Sequence, residues 1–368
     1  MNETYLKPEE RAVFALRELY RGYGYLPYKM SKFEEYDLYL RNKDFLISDR
    51  IITFNDMGGK LLALKPDVTL SIIKHGEDAP GCKQKVCYNE YVYRVAGGAN
   101  RFKEILQTGI ECIGDLDAYD IYEVVGLAAA SLATVSDAFA LDISHMGILS
   151  ALLDDMTGNP DLRGSITRCI SEKNTHDLTR ICDEAGISRD DTNTLVEFSG
   201  IYGDMDSVLA RLAPICRRHE AAVIALGELK GLRDHLKQTP YADRIRFDFS
   251  IINDMTYYNG VVFCGFLDGI CQCVLSGGQY NKLMRRMGRR AGAIGFALYL
   301  DLLEELEQSA PAYDVDTLVL YDSTVSPAAV AAEVAALQSR GMTVSAQRAI
   351  PEKLRYTNLR DLRKEGSK

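Results

Sequence analysis

Apolar residues recur at helical spacing at Ala12, Val13, Leu16, Leu19 and Tyr20, which predicts an amphipathic helix over residues 9–22 that Gly22 and Gly24 close. Strand-like runs follow near 26–33, 50–55 and 60–64. Residues 86–94 and 105–113 flank the loop-forming stretch Ala96-Gly97-Gly98-Ala99-Asn100 and predict two antiparallel strands. A helix over 118–135 and a strand over 138–144 come next. From about 147 to 240 the pattern is almost wholly helical, broken at Gly158-Asn159-Pro160, Gly186 and Gly203. Strand character returns over 244–249, then through 257–264 and 270–276, and the stretch 292–307 reads as a helix. A helical block between two strand-rich segments predicts an α+β domain, residues 1–146 with 241–308, carrying a helical insertion at 147–240. Beyond Pro311 a smaller α/β unit, 312–368, begins with a buried-type strand over 317–321. Ser326 caps the helix that follows, Pro327 fits its first position, and Val330, Val334 and Leu337 line one face. Gly341 closes that helix and Val344 starts another strand.

The 368 residues suffice for a large core and at least two domains. A hydrophobic content of 47% with 26% charged residues describes an ordinary globular protein. No run approaches the roughly 18 apolar residues of a membrane span, and the polar opening Met1-Asn2-Glu3-Thr4 is not a signal peptide, so a cytoplasmic location is expected. The nine cysteines are scattered. Cys271 and Cys273 share a face of a predicted strand, but nothing supplies the other half of a zinc site, so reduced, packed thiols are expected, with no metal and no cofactor. The net charge of −9 argues against nucleic acid as a partner, because phosphate neutralisation carries much of that affinity. The basic clusters Arg285-Arg286 with Arg289-Arg290, Arg217-Arg218 and the tail over 360–364 read as solvated faces or a terminus.

Strand alternation puts Gln107, Gly109 and Glu111 on one face, with the glycine leaving an opening between two polar side chains. Arg94 ends the preceding strand. Gly277-Gly278 offers a second close approach to backbone, and Tyr257 and Tyr258 bring rings and hydroxyls. A cationic amino acid needs such parts: carboxylates for its ammonium and ring nitrogen, an arginine for its carboxylate, a tyrosine to orient its ring. Taken singly each has a plainer role, such as Asp67 capping a helix that begins near Thr69 or the tyrosines filling the core.

The order and spacing of the set resemble histidyl-tRNA synthetase, a class II aminoacyl-tRNA synthetase, over about residues 5–306. The segment from Arg94 to Glu111 is similar to class II motif 2, Ala293-Ile294-Gly295-Phe296-Ala297-Leu298 to the start of motif 3, and Asn253-Asp254-Met255-Thr256-Tyr257-Tyr258 to the histidine-specific motif. The resemblance implies a class II antiparallel sheet with flanking helices. It also implies Asp67, Thr69, Arg94, Gln107, Glu111, Tyr257 and Tyr258 as the residues that contact histidine. The departures concern catalysis. Asn253 and Leu302 stand where the synthetase has its two arginines. Thr256 stands for an aspartate, Ala96 for the adenine-recognising glutamate and Ser31 for the motif 1 proline, while Arg101 and Lys103 are retained. Positioned cations are the main device of phosphoryl chemistry, so this pattern implies loss of amino-acid activation. Residues 312–368 resemble only the opening portion of the synthetase's anticodon-binding domain.

A synthetase-like core with these losses resembles the ATP phosphoribosyltransferase regulatory subunits. That family implies a non-catalytic subunit that activates the short-form transferase, confers feedback inhibition by histidine as effector, and forms a homodimeric core within a hetero-oligomer. The alternatives are an active histidyl-tRNA synthetase and a stand-alone histidine- or tRNA-binding paralogue.

Overall fold

Tyr20, Leu16 and Ala12 are buried one helical turn apart, and they seat the first helix, α1 (Pro8–Gly22), against the sheet that organises the molecule. The computed structural model describes residues 7–43, 46, 50–76, 81–95, 101–252, 257–306 and 313–363. It divides into two units, Met1–Leu306 and Glu307–Lys368. After α1 the chain turns at Gly24, whose φ of 81° suits glycine. The run expected over 26–33 yields only β1 (Leu26–Pro27) and, further on, β2 (Phe33–Glu35). Pro27 has no N–H to donate, which fits a short edge strand. The helix α2 (Tyr36–Arg41) follows, and β2 joins β3 (Thr53–Asn55) and β4 (Leu61–Leu64) in a small antiparallel sheet. Next comes the short helix α3 (Thr69–His75).

The predicted long pair is β5 (Lys83–Val95) and β6 (Phe102–Gly114). They are antiparallel over their whole length, with Lys83 opposite Gly114 and Val95 opposite Phe102. Residues 96–100, Ala96 among them, lie outside the described residues. The helix α4 (Ala118–Val135) and the strand β7 (Phe139–His145) agree closely with the pattern. By length and composition α4 is apolar enough to cross a membrane. Its position is that of a core helix: Asp120 pairs with Lys83 at 2.6 Å, Glu123 pairs with Lys85 at 2.6 Å, and Val124, Val125, Leu127 and Leu132 are buried in the core.

The helical stretch resolves into α5 (Met146–Met156), α6 (Pro160–Ser171), α7 (Thr175–Glu184), α8 (Arg189–Ser199), α9 (Met205–Cys216) and α10 (Glu220–Leu236). Side chains of Asn159, Asn174, Ser188 and Asp204 accept N–H bonds at the starts of α6 to α9, which explains the punctuation of the sequence. One element was not legible there: β8 (Tyr202–Gly203), which pairs with β9 (Ile245–Asp248) and so ties the helical stretch to the sheet edge. The helices and the sheet share one continuous core.

Two expected strands shift. The run over 257–264 becomes β10 (Val261–Leu267), and that over 270–276 becomes β11 (Leu275–Gln279), separated by a turn at Gly269 with φ 86°. Cys271 and Cys273 therefore sit before the strand and share no strand face. The Cys273 thiol donates to the Leu275 carbonyl at 2.9 Å, and Cys271 is exposed. After the short helix α11 (Asn281–Arg286), the helix expected over 292–307 is instead β12 (Gly292–Tyr299), followed by a 3-10 helix over Leu300–Leu306. The run Gly292-Ala293-Ile294-Gly295-Phe296-Ala297-Leu298 is apolar on both faces because β12 lies in the sheet interior, and such a run does not distinguish a buried strand from a helix by periodicity. The sheet order is β1-β5-β6-β12-β11-β10-β7-β9-β8, antiparallel except for the β1–β5 and β7–β9 pairs.

In the second unit, β13 (Val315–Leu320), β14 (Val344–Gln347) and β15 (Tyr356–Asp361) form a parallel sheet with β13 at its centre. Ser326 caps α12 (Pro327–Gln338), and Val330 is its buried residue. β15 was not expected, because its residues are mostly exposed and polar. It carries part of the basic tail, where Arg360 pairs with Glu333 at 3.0 Å and Arg363 with Asp361 at 2.6 Å.

Lys65 is fully buried beside β4, and its ammonium donates to Glu90 on β5 at 2.6 Å. Removing one partner of such a pair strands a charge in a low-dielectric interior, so Glu90→Ala is expected to destabilise the fold by about 3 kcal/mol. Glu35→Ala, which removes the exposed partner of Lys60, is expected to leave stability unchanged. Urea denaturation of both variants measures the contrast.

Candidate functional site

All seven residues singled out from the sequence line one cavity of about 200 Å³: Asp67, Thr69, Arg94, Gln107, Glu111, Tyr257 and Tyr258. Four pieces of structure bring them together. The start of α3 supplies Asp67 and Thr69. Strands β5 and β6 supply Arg94, Gln107 and Glu111, and the segment before β10 supplies Tyr257 and Tyr258. The orientation of α3 is fixed at both ends. Asp67 Oδ1 accepts the Leu70 N–H at 2.8 Å, and Arg289 donates to the Ile73 carbonyl at 2.8 Å at the far end. Asp67 thus fills its plainer role as a cap and still lines the cavity. Arg289, one of the basic-cluster residues, serves the fold there.

Glu111 is buried on β6. Its Oε1 accepts from the Thr69 hydroxyl at 2.8 Å and its Oε2 from the Tyr280 hydroxyl at 2.5 Å. Gly295 on β12 stands directly opposite it in the ladder, and a Cβ at Gly295 would collide with the Glu111 carboxylate. Arg94 donates through Nε to the Pro66 carbonyl at 2.7 Å and lies 3.9 Å from Asp67 Oδ2. Gln107 is buried, and its Nε2 has no hydrogen-bond partner among the described residues, an unusual condition for an amide donor. The rings of Tyr257 and Tyr258 are 4.5 Å apart, and that of Tyr280 is 5.8 Å from Tyr257. Tyr257 also hydrogen-bonds with Thr69.

The expected openings at the glycines are filled by protein. The Tyr88 hydroxyl lies over Gly109 and donates to the Phe296 carbonyl at 3.3 Å, so a Cβ at Gly109 would come within 2.6 Å of it. A Cβ at Gly277 would collide with the Gly295 carbonyl, and one at Gly278 would lie 2.8 Å from the Tyr258 ring. The glycines admit side chains and neighbouring backbone, and the cavity is the space those side chains leave. Sequence reasoning missed Tyr280, Tyr88 and Tyr299 as lining groups. Tyr280 follows Gly277-Gly278-Gln279 directly, and only the end of β11 and its turn toward β6 reveal that it reaches Glu111.

Burial dominates the electrostatics. It pushes the Glu111 carboxyl up to about 8; nearby Asp67 pushes the same way, and the hydrogen bonds from Tyr280 and Thr69 oppose. Burial also raises Asp67, against the pull of Arg94 and of backbone N–H groups. The phenols of Tyr88, Tyr257, Tyr258 and Tyr280 are held well above their ordinary range, first by burial and then by the carboxylates and, for Tyr258, by the neighbouring Tyr299. The cavity therefore offers two carboxyl groups, one guanidinium, an amide donor and aromatic walls, an arrangement suited to one small polar molecule with a cationic group and a ring.

Of the departures from the synthetase pattern, Asn253 and Thr256 lie outside the described residues. Leu302 is half-buried and packs against the main apolar core. Lys103 is bound to Asp301 at 2.6 Å, and Arg101 and Ser31 are exposed. Among the described residues no group of three or more His, Cys, Asp or Glu side chains is placed to hold a metal.

Residues 2–303 match the family model described as histidyl-tRNA synthetase. An ATP phosphoribosyltransferase regulatory subunit of Oceanobacillus iheyensis is 27% identical over 304 residues, covering 82% of this chain and 74% of that protein. A Bacillus halodurans structure described as an ATP phosphoribosyltransferase regulatory subunit/histidyl-tRNA synthetase superposes with a TM-score of 0.79 at 23% identity, covering 99% of this chain and 96% of that one. An ATP phosphoribosyltransferase complex from Thermotoga maritima contains a chain similar at TM-score 0.60 and 18% identity, covering 79% of this chain and 97% of that one. The two structural likenesses carry the class II fold. With the family match across most of its length and its similarity to regulatory subunits of ATP phosphoribosyltransferase, the chain belongs to the histidyl-tRNA synthetase family.

Proposed function

We propose that this protein is a non-catalytic regulatory subunit of a short-form ATP phosphoribosyltransferase. In this reading it works in the cytoplasm, activates the catalytic subunit and confers inhibition by histidine, which the cavity binds. The observation that carries the reading is the cavity itself: it brings together two carboxyl groups, an amide and aromatic walls suited to a cationic amino acid, with Arg94 as the one guanidinium among the described lining residues. Where a synthetase has its ATP-gripping arginine, Leu302 is committed to the apolar core. Lys103, a retained cation, is committed to Asp301. Binding groups are thus kept while one cation for the reacting phosphate is replaced and another is engaged. The relatives named as regulatory subunits of this transferase, and the similar chain in a transferase complex, support the same reading.

Asp67 and Glu111 hold the cationic parts of histidine, Arg94 its carboxylate, and Tyr257 and Tyr258 flank the ring. Thr69 and Gln107 complete the set, Thr69 by orienting Glu111 and Gln107 by donating its amide to the ligand. A homodimeric core joins catalytic subunits into a larger hetero-oligomer.

Three measurements test this. In a histidine-dependent ATP–pyrophosphate exchange assay the pure protein is expected to match a no-enzyme control; clear turnover would identify an active synthetase instead. Light scattering is expected to give a dimer alone and a larger particle with the short-form transferase, and a monomer indifferent to that subunit would overturn the assembly. By calorimetry, Glu111→Ala is expected to weaken histidine binding by about 30-fold to several thousand-fold, the usual cost of removing one charged or hydrogen-bonded partner of a buried ligand. The exposed change Lys230→Ala is expected to leave it untouched. Unaltered binding in Glu111→Ala would move the effector site out of this cavity.

A further inference from the structure

The cavity contains more acid than base. Two carboxyl groups, Asp67 and Glu111, face one guanidinium, Arg94, and no other cation is found among the described lining residues. Arg94 lies beside Asp67. Among the described residues, Glu111 receives only the neutral hydroxyls of Thr69 and Tyr280. The remaining titratable groups among the described lining residues are the phenols of Tyr88 from β5, of Tyr257 and Tyr258 from the segment before β10, and of Tyr299 from β12, whose Gly295 lies directly against the carboxylate. An ionised carboxylate buried without a cation is strongly disfavoured.

Resting on the reading of the cavity as a histidine site, we propose that Glu111 carries a proton in place of a second cation, and that this proton stays in the site when histidine binds, shared between the carboxyl and the ligand's imidazole. As the ring enters, its nitrogen takes the proton from the carboxyl oxygen: an N–H bond forms as the O–H bond breaks, and nothing passes to or from water. The cavity keeps the same net charge before and after. It accepts histidine as the neutral zwitterion that prevails in solution and binds it as an imidazolium–carboxylate pair.

Proton linkage distinguishes this from its alternatives. Free imidazole titrates at about 6.5, and burial pushes Glu111 up to about 8. Between those values the empty protein and free ligand together hold one proton, as does the complex, so affinity is level. Below the window the ligand must shed a proton, and above it the complex must take one from water, so affinity falls on both sides, approaching about tenfold per pH unit. An ordinary ionised glutamate would instead make the affinity fall from about pH 6.5 upward, with uptake of nearly one proton at pH 7.4.

Stability gives a second reading that needs no ligand. A carboxyl whose folded value lies above its unfolded value contributes stability that is complete below the unfolded value and is lost as pH rises through the folded one. Glu111→Gln keeps the shape and removes the titration. Its Tm relative to that of the unsubstituted protein should therefore climb between pH 5 and 8, by roughly 5 °C or more.

The experiment pairs histidine calorimetry at pH 6 to 9.5, in buffers of different ionisation enthalpy, with thermal unfolding of the two proteins from pH 5 to 8. Near-zero proton exchange at pH 7.4 with a climbing Tm difference is the expected result. Uptake or release of about one proton at pH 7.4, or a Tm difference that stays level, overturns the proposal. If histidine gives no heat at any pH while the Tm difference still climbs, the histidine reading falls and the proton on Glu111 stands.

Discussion

The site is organised around Glu111, a carboxyl group placed where a strand would ordinarily bury an apolar side chain. Its position is set by the β6–β12 ladder, in which Gly295 stands opposite it and leaves room for the carboxylate that any larger residue would occupy. Thr69 from α3 and Tyr280 from the end of β11 close on its two oxygens. Three separate stretches of chain are thereby joined through one side chain, and the cavity is the space beside it. A buried polar network of this kind specifies its geometry because each unmade hydrogen bond is costly.

Much of the rest of the fold serves that placement. The long β5–β6 pair brings Arg94 and Gln107 to the same cavity, and the capping of α3 at both ends, by Asp67 and by Arg289, holds Thr69 in line. The glycines of the central strands give up their own side-chain volume to Tyr88, Tyr258 and Glu111. This is a different use of glycine from the close approach of a ligand to backbone: it lets large polar and aromatic groups lie flat across a buried sheet.

The chemistry follows from how charge is distributed. Phosphoryl transfer needs cations free to face the phosphates. Here Leu302 packs into apolar surroundings and Lys103 pairs with Asp301, while Arg94 remains beside Asp67 in the cavity. A cavity with two carboxyl groups and one guanidinium is suited to retaining a small molecule with a cationic group and a carboxylate.

The sequence by itself determined the elements whose patterns are local: α1, α4, the capped helices between Gly158 and Leu236, and the β5–β6 pair, where side-chain period and capping residues carry the signal. The seven cavity residues were also legible, through the resemblance of their motifs to those of histidyl-tRNA synthetase. Tertiary structure alone decided the rest. Residues 292–299 are a strand because they lie between β6 and β11, where both faces are covered and the alternation that would mark a strand disappears. The two-residue strand β8 exists because β9 offers it an edge, and β15 because β13 does. Tyr280 joined the site, and the glycine openings closed, because side chains distant in sequence meet across neighbouring strands. Whether a buried glutamate meets a lysine or two hydroxyls depends on what the fold brings beside it, and that long-range pairing has no local period to read.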